Sequence, residues 1–283
     1  MEAGQPSHTA FAAAAHRAAH QILEQGRIFT DPLAVRILGQ DVETILSDAE
    51  RPSKRLMRFF IAVRTRFAED ALSGSVKRGV RQLVVLGAGL DTYAYRSPFG
   101  SELRIFEVDH PATQAWKRQR LAAAQIALPS FLTFAPFNFE RETLDEALTS
   151  AGFDPSQQTF FTWLGVVPYL TAPAIWATLA FIAGLPGGAH VVFDYSDPPA
   201  SFAPDRRAAH ARRAEHVAAL GEPWISYFEE EELRIKLLGF GFSEIEDIGP
   251  SEIVARFLPG RVISFPDRGG HIVRATSIAE GSR

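Results

Sequence analysis

Two glycines and one aspartate are the residues whose types and spacing most clearly suggest chemistry. Gly87 and Gly89 flank Ala88 directly after the apolar run 82–86, which predicts a strand buried on both faces. Without a Cβ atom, a glycine backbone turns sharply and approaches a ligand closely. Asp109 stands 22 residues after Gly87, at the end of a second predicted strand, where a carboxylate accepts hydrogen bonds from both hydroxyls of a ribose. Each feature alone is common, as a turn or a helix cap, but together they predict a nucleoside ligand.

The residues after the second glycine distinguish between nucleoside ligands. A dinucleotide-binding loop has the form G-x-G-x-x-G, and its third glycine allows close packing of the helix on the strand. Thr92 takes that third position here, and Asp91 brings a negative charge to the place of a diphosphate. Both residues disfavour NAD, whereas a sulfonium ligand with one carboxylate and one ammonium tolerates an acidic neighbour. An NAD-dependent oxidoreductase is therefore the less favoured alternative.

Gly87, Gly89 and Asp109 can form one site only if the strands before them end at the same edge of a sheet. The rest of the sequence predicts such a sheet. From residue 82 onward, five short apolar runs alternate with helical segments, which indicates an α/β fold with a parallel sheet and right-handed crossovers. The predicted strands are 82–86, 103–108, 131–137, 159–164 and 190–195, with further strand-like stretches at 240–246 and 270–275. The predicted helices between them are 111–126, 142–151, 173–183 and 229–238.

The regions on either side of this alternating core are interpreted as additions to one domain. Apolar residues recur at helical spacing over 54–72, and Asp31-Pro32 has the form of a helix start. Residues 196–228 contain several prolines and a polar run rich in Ala, Arg and His, which predicts an inserted helical lid. We therefore predict a single domain, 1–283, made of an N-terminal helical cap (1–78), a cofactor-binding core (80–195), the lid (196–228) and a C-terminal completion of the sheet (229–283).

Composition and charge exclude several classes of function. The 283 residues include 29 Lys and Arg against 33 Asp and Glu, a net charge of −4, and no cysteine. This balance lacks the basic surface of a nucleic-acid binder, and the missing cysteines exclude disulfide scaffolds, thiolate metal sites and cysteine nucleophiles. No stretch has the roughly 18 apolar residues of a membrane span, and the Ala-rich N-terminus does not have the pattern of a signal peptide. We expect a cytoplasmic protein that acts on a small molecule or carboxyl acceptor, without metal, membrane or nucleic acid; the oligomeric state is left open.

Four segments of the chain resemble one family of enzymes. They are RTRFAED (64–70), QLVVLGAGLDTYAYR (82–96), FEVDHPATQAWK (106–117) and WLGVVPYLT (163–171). These segments resemble the S-adenosylmethionine-dependent methyltransferases of the leucine carboxyl methyltransferase type, a group that includes bacterial polyketide carboxyl methyltransferases. The resemblance covers about 31–195. It implies a class I methyltransferase fold, Rossmann-like with a mostly parallel seven-stranded sheet, and S-adenosyl-L-methionine as the cofactor.

The resemblance also implies roles for individual residues. Arg64 matches the arginine that holds the methionyl carboxylate of the cofactor, a task for which a guanidinium fork is suited. Gly87, Ala88 and Gly89 match the loop that passes beneath the cofactor. Asp109 matches the acid that binds the ribose.

Two positions depart from the family pattern. Asn138 and Phe139 stand where the family often has an Asp-Leu pair that holds the adenine. The asparagine can still accept a hydrogen bond from the adenine amino group, and the phenylalanine can pack on the ring, so we keep both as cofactor-binding residues. Leu164 replaces a glutamate of the leucine carboxyl methyltransferases proper, which weakens the prediction that a phosphatase tail is the substrate.

The predicted reaction is methyl transfer to oxygen. We expect O-methylation of a carboxyl or hydroxyl group on a small molecule or natural product, with a catalytically silent cofactor-binding scaffold as an alternative. A carboxylate acceptor needs no general base, whereas a hydroxyl acceptor needs one within hydrogen-bond reach. His110 and Tyr195 are base candidates by position alone, so the catalytic residue is left unassigned. The aromatic candidates for an acceptor pocket, or for a small core within the lid, are Tyr169, Phe202, Trp224 and Tyr227.

Overall fold

Seven strands form one sheet at the centre of the molecule. The computed structural model describes residues 7–49, 51–259 and 268–279. Its strands are β1 (Gln82–Leu86), β2 (Arg104–Asp109), β3 (Leu132–Pro136), β4 (Thr159–Trp163), β5 (Ala189–Ser196), β6 (Phe242–Ile248) and β7 (Gly270–Ser277). They lie in the order β3-β2-β1-β4-β5-β7-β6. β1 to β5 are parallel and β7 is antiparallel to both of its neighbours, which confirms the predicted α/β fold with a mostly parallel seven-stranded sheet.

Helices connect the strands and cap the sheet. Those of the described residues are α1 (His8–Leu23), α2 (Ala34–Leu38), α3 (Val42–Ala49), α4 (Pro52–Lys77), α5 (Pro111–Ala123), α6 (Leu144–Ser150), α7 (Ala172–Ala183), α8 (Pro204–Ala219), α9 (Glu230–Phe240) and α10 (Pro250–Phe257). α1 to α4 fall within residues 1–78, the predicted N-terminal cap, and α8 falls within residues 196–228, the predicted lid segment. None of the helices within the described ranges is long and apolar enough to cross a membrane.

Both faces of the sheet are buried because its central strands are apolar on both sides. In β5, Val191 and Phe193 face one core and Val192 the other, and all three side chains are fully buried. α6, α7 and α9 cover the first face, whereas α4 and α10 cover the second. A third apolar cluster joins α1, α2 and α3 to Leu90 in the loop after β1. The cap is thereby fixed directly above the loop that carries the two glycines.

α9 ends later than the sequence predicts, because Gly241 ends the helix and Gly239 does not. The sequence predicts a helix that ends before Gly239 and a strand over 240–246. In the structure the helix continues through Gly239, where an added Cβ would meet no atom within 4 Å. Gly241 ends it instead, in the left-handed conformation with φ 106° that favours glycine after a helix. The strand therefore begins two residues later than predicted.

Two helix starts also differ from the sequence analysis. α10, which begins at Pro250, was not predicted at all. Asp31-Pro32 does not start a helix: α2 begins at Ala34, and the Asp31 carboxylate accepts the backbone N–H of Leu33 in the turn before it, at 3.0 Å. The division of the chain into cap, core, lid and C-terminal completion at the proposed boundaries stays a prediction.

Candidate functional site

A cavity of about 380 Å³ opens beyond the carboxyl ends of β1, β2 and β4. This is the point where the strand order reverses, since β1 is followed by β2 on one side while β4 lies on its other side. Open α/β sheets bind ligands at such a switch point. Every cofactor-binding residue predicted from the sequence lines this cavity: Arg64, Gly87, Ala88, Gly89, Asp109, Asn138 and Phe139.

The glycine loop forms the floor of the cavity in a conformation that needs glycine. Gly87 and Gly89 have φ values of 65° and 46°, in the left-handed region. A Cβ on Gly87 would lie 2.3 Å from Cγ2 of Val166, and a Cβ on Gly89 would lie 3.0 Å from Cβ of Ala10. The backbone of the loop is therefore closely enclosed between α1 and the loop after β4.

The carboxylate of Asp109, at the end of β2, contacts the glycine loop. It accepts the backbone N–H groups of Gly89 and of His110, the latter at 2.7 Å. Burial raises the pKa of Asp109 to about 6, although these two N–H groups oppose that shift by stabilising the charged form. The carboxylate thus stands at the cavity wall, close to half protonated in mildly acidic solution.

Arg64 enters the cavity from the middle of α4 and is held by an ion pair that sequence reasoning missed. Its Nη1 donates to Oδ2 of Asp194 at 2.8 Å, and both side chains are nearly buried. Oδ1 of Asp194 accepts the backbone N–H of Gly165 at 2.6 Å. Nε of Arg64 is buried without a hydrogen-bond partner. The guanidinium is therefore fixed at the cavity while some of its donors remain unused. The only sequence signal for Asp194 was a carboxylate within the apolar run of β5.

Asn138 and Phe139 lie on the opposite side of the cavity, after β3. Oδ1 of Asn138 accepts the backbone N–H of Glu140 at 3.1 Å in a tight turn. Phe139 stacks on Trp163, with ring centroids 5.8 Å apart and an interplanar angle of 16°. Both residues stand where the resemblance places the adenine. Their role in binding stays a prediction.

The cavity has a roof made by two distant parts of the chain, the first turn of α1 and the loop after α8. Glu222 accepts hydrogen bonds from the backbone N–H groups of His8 and Thr9, both at 2.9 Å, and from the hydroxyls of Ser7 and Thr9. The backbone N–H of Ser7 also donates to Thr113 at the start of α5. Nothing in the sequence pattern indicated that the lid segment and the N-terminal cap meet at this carboxylate.

The two base candidates occupy different positions in the fold. Tyr195 lies outside the cavity lining, and its hydroxyl donates to Asp247 at 2.7 Å. His110 lines the cavity, but its Nδ1 accepts the backbone N–H of Ala112 and caps α5. Burial lowers the pKa of His110, so that the ring is neutral at pH 7.

The four aromatic candidates for an acceptor pocket lie in two different places. Tyr169 lines the cavity, whereas Phe202, Trp224 and Tyr227 do not. These three rings surround the buried His210 at centroid distances of 5.4, 5.2 and 5.6 Å. They form a small core within the lid segment, which is the second of the two uses considered for them.

Alanine substitution tests whether packing against Val166 is what requires a glycine at position 87. Gly100 is a matched control because its φ of 52° lies in the same left-handed region as the 65° of Gly87, but nothing lies within 4 Å of an added Cβ. We expect Gly100→Ala to lower the free energy of unfolding by about 1–2 kcal/mol through backbone strain alone. Gly87→Ala should lower it by more, because of the additional clash. Urea denaturation measures both values. In a protein that also carries Val166→Ala, the additional loss of unfolding free energy caused by Gly87→Ala should be smaller. An undiminished loss there would contradict the steric explanation.

Comparisons with known proteins agree with this geometry. The sequence profile of the family described as "Leucine carboxyl methyltransferase" matches residues 10–183. The "Putative S-adenosyl-L-methionine-dependent methyltransferase YktD" of Bacillus subtilis (strain 168) is 34% identical over 204 residues, which cover 70% of this chain and 66% of that protein. A protein with the same description from Mycobacterium marinum is 34% identical over 194 residues, covering 65% and 64% of the two chains. The chain thus spans slightly less than two thirds of the length of these curated relatives.

The solved structure of a protein titled a putative methyltransferase, from Thermobifida fusca YX, shares the fold. Its TM-score is 0.56 at 16% identity, and the superposition covers 98% of this chain and 97% of the other. This likeness confirms the predicted class I methyltransferase fold. Since the family profile also matches more than half of its residues, the chain belongs to the leucine carboxyl methyltransferase family, whose relatives named above are described as S-adenosyl-L-methionine-dependent methyltransferases.

Proposed function

We propose that this protein transfers a methyl group from S-adenosyl-L-methionine to an oxygen of a carboxyl or hydroxyl group on a small molecule or natural product. The observation that carries the proposal is a single cavity in which the glycine loop, the Asp109 carboxylate and the Arg64 guanidinium meet. Family membership supports the same reaction class. The chemistry of the two charged side chains fits two parts of the cofactor, the ribose hydroxyls and the methionyl carboxylate.

The donors and acceptors around the cavity match the proposed cofactor. Asp109 would accept the two ribose hydroxyls, as carboxylates at the end of a second strand do in nucleoside sites. Arg64 would bind the methionyl carboxylate, and its buried, unpartnered Nε shows that Asp194 does not use all of its donors. Gly87 and Gly89 line the cavity without a side chain, so their backbone can approach a ligand closely.

The protein's own contribution to the reaction is alignment and exclusion of water. S-adenosyl-L-methionine supplies an electrophilic methyl group on a sulfonium, so the chain needs to orient an acceptor oxygen in line with it. The first turn of α1 and Glu222 line one side of the cavity, and water that the bound ligands displace from it would favour loss of the sulfonium charge. No residue is assigned as a proton acceptor.

The positions of the base candidates favour a carboxylate acceptor over a hydroxyl. Tyr195 is bonded to Asp247 outside the cavity, and His110 is engaged in capping α5. A carboxylate acceptor needs neither residue, because it is already a nucleophile at neutral pH. The less favoured oxidoreductase is further disfavoured because the carboxylate of Asp91 lies in the cavity lining beside the glycine loop.

Calorimetric titration with S-adenosylhomocysteine, with NADH as the comparison ligand, tests the cofactor. We expect micromolar binding of S-adenosylhomocysteine only, and its loss in Asp109→Ala. Asp154→Ala is the control, because Asp154 also accepts a backbone N–H in a turn, that of Ser156, but lies outside the cavity lining. Binding of NADH alone would overturn the methyltransferase proposal, and binding of neither ligand would contradict both this proposal and the silent cofactor-binding scaffold.

Incubation with methyl-labelled S-adenosyl-L-methionine and a panel of carboxylic acids and phenols tests the acceptor. We expect label on the carboxylic acids, released as methanol by mild alkali because methyl esters hydrolyse there and methyl ethers do not. Label that resists alkali would assign a hydroxyl acceptor instead.

The affinity for S-adenosylhomocysteine should fall as the pH falls through about 6, where Asp109 takes up a proton. Only the ionised carboxylate accepts both ribose hydroxyls, so protonation competes with binding. Below pH 6 the Kd should rise about tenfold per pH unit, while above pH 7 it should be constant. Titrations between pH 5 and 8 measure this profile. Asp109→Asn should bind weakly with a flat profile, and a flat profile in the unsubstituted protein would contradict the role of Asp109.

A further inference from the structure

A buried chain of charged groups lies behind the glycine loop, built from motif residues that the proposed reaction does not use. Asp31, whose side chain is fully buried, accepts the hydroxyl of Thr92 at 2.7 Å. Nε of Arg96 lies 3.5 Å from the other oxygen of Asp31. The remaining guanidinium nitrogens of Arg96 donate to both carboxylate oxygens of Glu69 in α4. These contacts connect α4 and the turn before α2 to the end of the loop after β1.

Arg17 extends this chain to the cavity. Its Nε lies 3.7 Å from Oδ2 of Asp31, and its Nη2 donates to the backbone carbonyl of Leu90 at 2.6 Å. Arg17 lines the cavity, whereas Asp31 does not. Asp31 therefore acts on the loop at two points, directly through Thr92 and indirectly through the arginine that binds the carbonyl of Leu90.

The loop needs such support because its two glycines make it intrinsically flexible. Backbone held in the left-handed region keeps that conformation only where surrounding contacts determine it. The charges in the chain alternate, with Asp31 between Arg17 and Arg96 and with Glu69 beyond Arg96. Removing the charge of Asp31 leaves two buried guanidinium groups with one carboxylate fewer, and such an imbalance is strongly unfavourable.

We infer that Asp31 is a positioning residue for cofactor binding, which holds the 87–92 loop and Arg17 in place without touching the cofactor. The inference rests on the proposed placement of the cofactor in this cavity. Asp31→Asn retains an oxygen that can accept from Thr92 but removes the charge. Its Kd for S-adenosylhomocysteine should rise by about tenfold or more.

Glu24→Gln is the matched control for this variant. Glu24 forms a buried ion pair with Arg58 in the same N-terminal region, with Nη2 to Oε1 at 2.7 Å, and it does not line the cavity. Both substitutions should lower the melting temperature, but Glu24→Gln should keep the Kd within about twofold of the unsubstituted protein. Equal losses of affinity in the two variants, or an unchanged Kd in Asp31→Asn, would overturn the inference in favour of a purely structural role.

Substitutions of Thr92 provide a milder test should Asp31→Asn fail to fold. Thr92→Val keeps the shape but removes the hydrogen bond donated to Asp31 and the one accepted from Arg96, and its Kd should rise severalfold. Thr92→Ser restores the hydroxyl and should restore the affinity. The double variant with Asp31→Asn should lose less affinity than the two single variants predict together, because both act through one contact. Equal affinities of the valine and serine variants would overturn the role of these hydrogen bonds.

Hydrogen exchange separates failure of this inference from failure of the proposed function. Absence of S-adenosylhomocysteine binding to the unsubstituted protein would overturn the proposed function. The exchange of backbone amides in 87–92, followed by mass spectrometry without ligand, still reports on the loop. We expect faster exchange there in Asp31→Asn and Thr92→Val but not in Glu24→Gln. Unchanged exchange in the first two variants would show that Asp31 does not hold the loop.

Discussion

The reversal of strand order at β1 is the constraint on which the rest of the site depends. Because β2 and β4 flank β1, the loops that follow these parallel strands diverge and leave a crevice between them. The glycine loop, Asp109 and the segment at Gly165 and Val166 all reach the cavity from these strand ends. The crevice stays narrow at its base, because Val166 packs against the position that a side chain on Gly87 would occupy. Sheet topology thus determines both the location of the cavity and the absence of a side chain at its floor.

Paired charges fix the polar groups around this crevice. Arg64 and Arg17 both line the cavity, and each has a carboxylate behind it, Asp194 at 2.8 Å and Asp31 at 3.7 Å. A guanidinium presents five donors, so one such partner orients it without using all of its hydrogen bonds. Burial of an unpaired cation would be much less favourable. The same principle places Glu107 and Lys117 together beneath the loop at 2.7 Å, both almost completely buried. There burial raises the pKa of Glu107 to about 7, because even an adjacent lysine offsets its loss of water only in part.

The sequence predicted the features that depend on local pattern and missed those that depend on distant contacts. The apolar run of β1 and the helical spacing in α4 were recognised because strand and helix periodicity is local. The glycine loop, Asp109, Asn138 and Phe139 were found because motif and resemblance placed them at strand ends, whereas Arg64, in the middle of α4, was found through the resemblance alone. Asp194 pairs with Arg64 across 130 positions, and Glu222 meets Thr9 across 213, which no periodicity reveals. Tyr195 shows the opposite error: its position at a strand end was right, but its side chain lies outside the cavity. The register of a strand decides which of its side chains reach the cavity, and a single sequence does not determine that register.

The contact of Glu222 with the first turn of α1 has a consequence for ligand exchange. The four donors that this carboxylate accepts join the first turn of α1 to the loop after α8 at one side of the cavity. Capping interactions of this kind stabilise a helix end by about 0.5–2 kcal/mol, which is small beside the stability of a whole domain. At such a free-energy difference, conformations in which this contact alone is broken are populated at roughly 3–30 per cent without unfolding of the sheet. A ligand that passes this side of the cavity therefore needs the loss of one carboxylate contact and of no strand pairing.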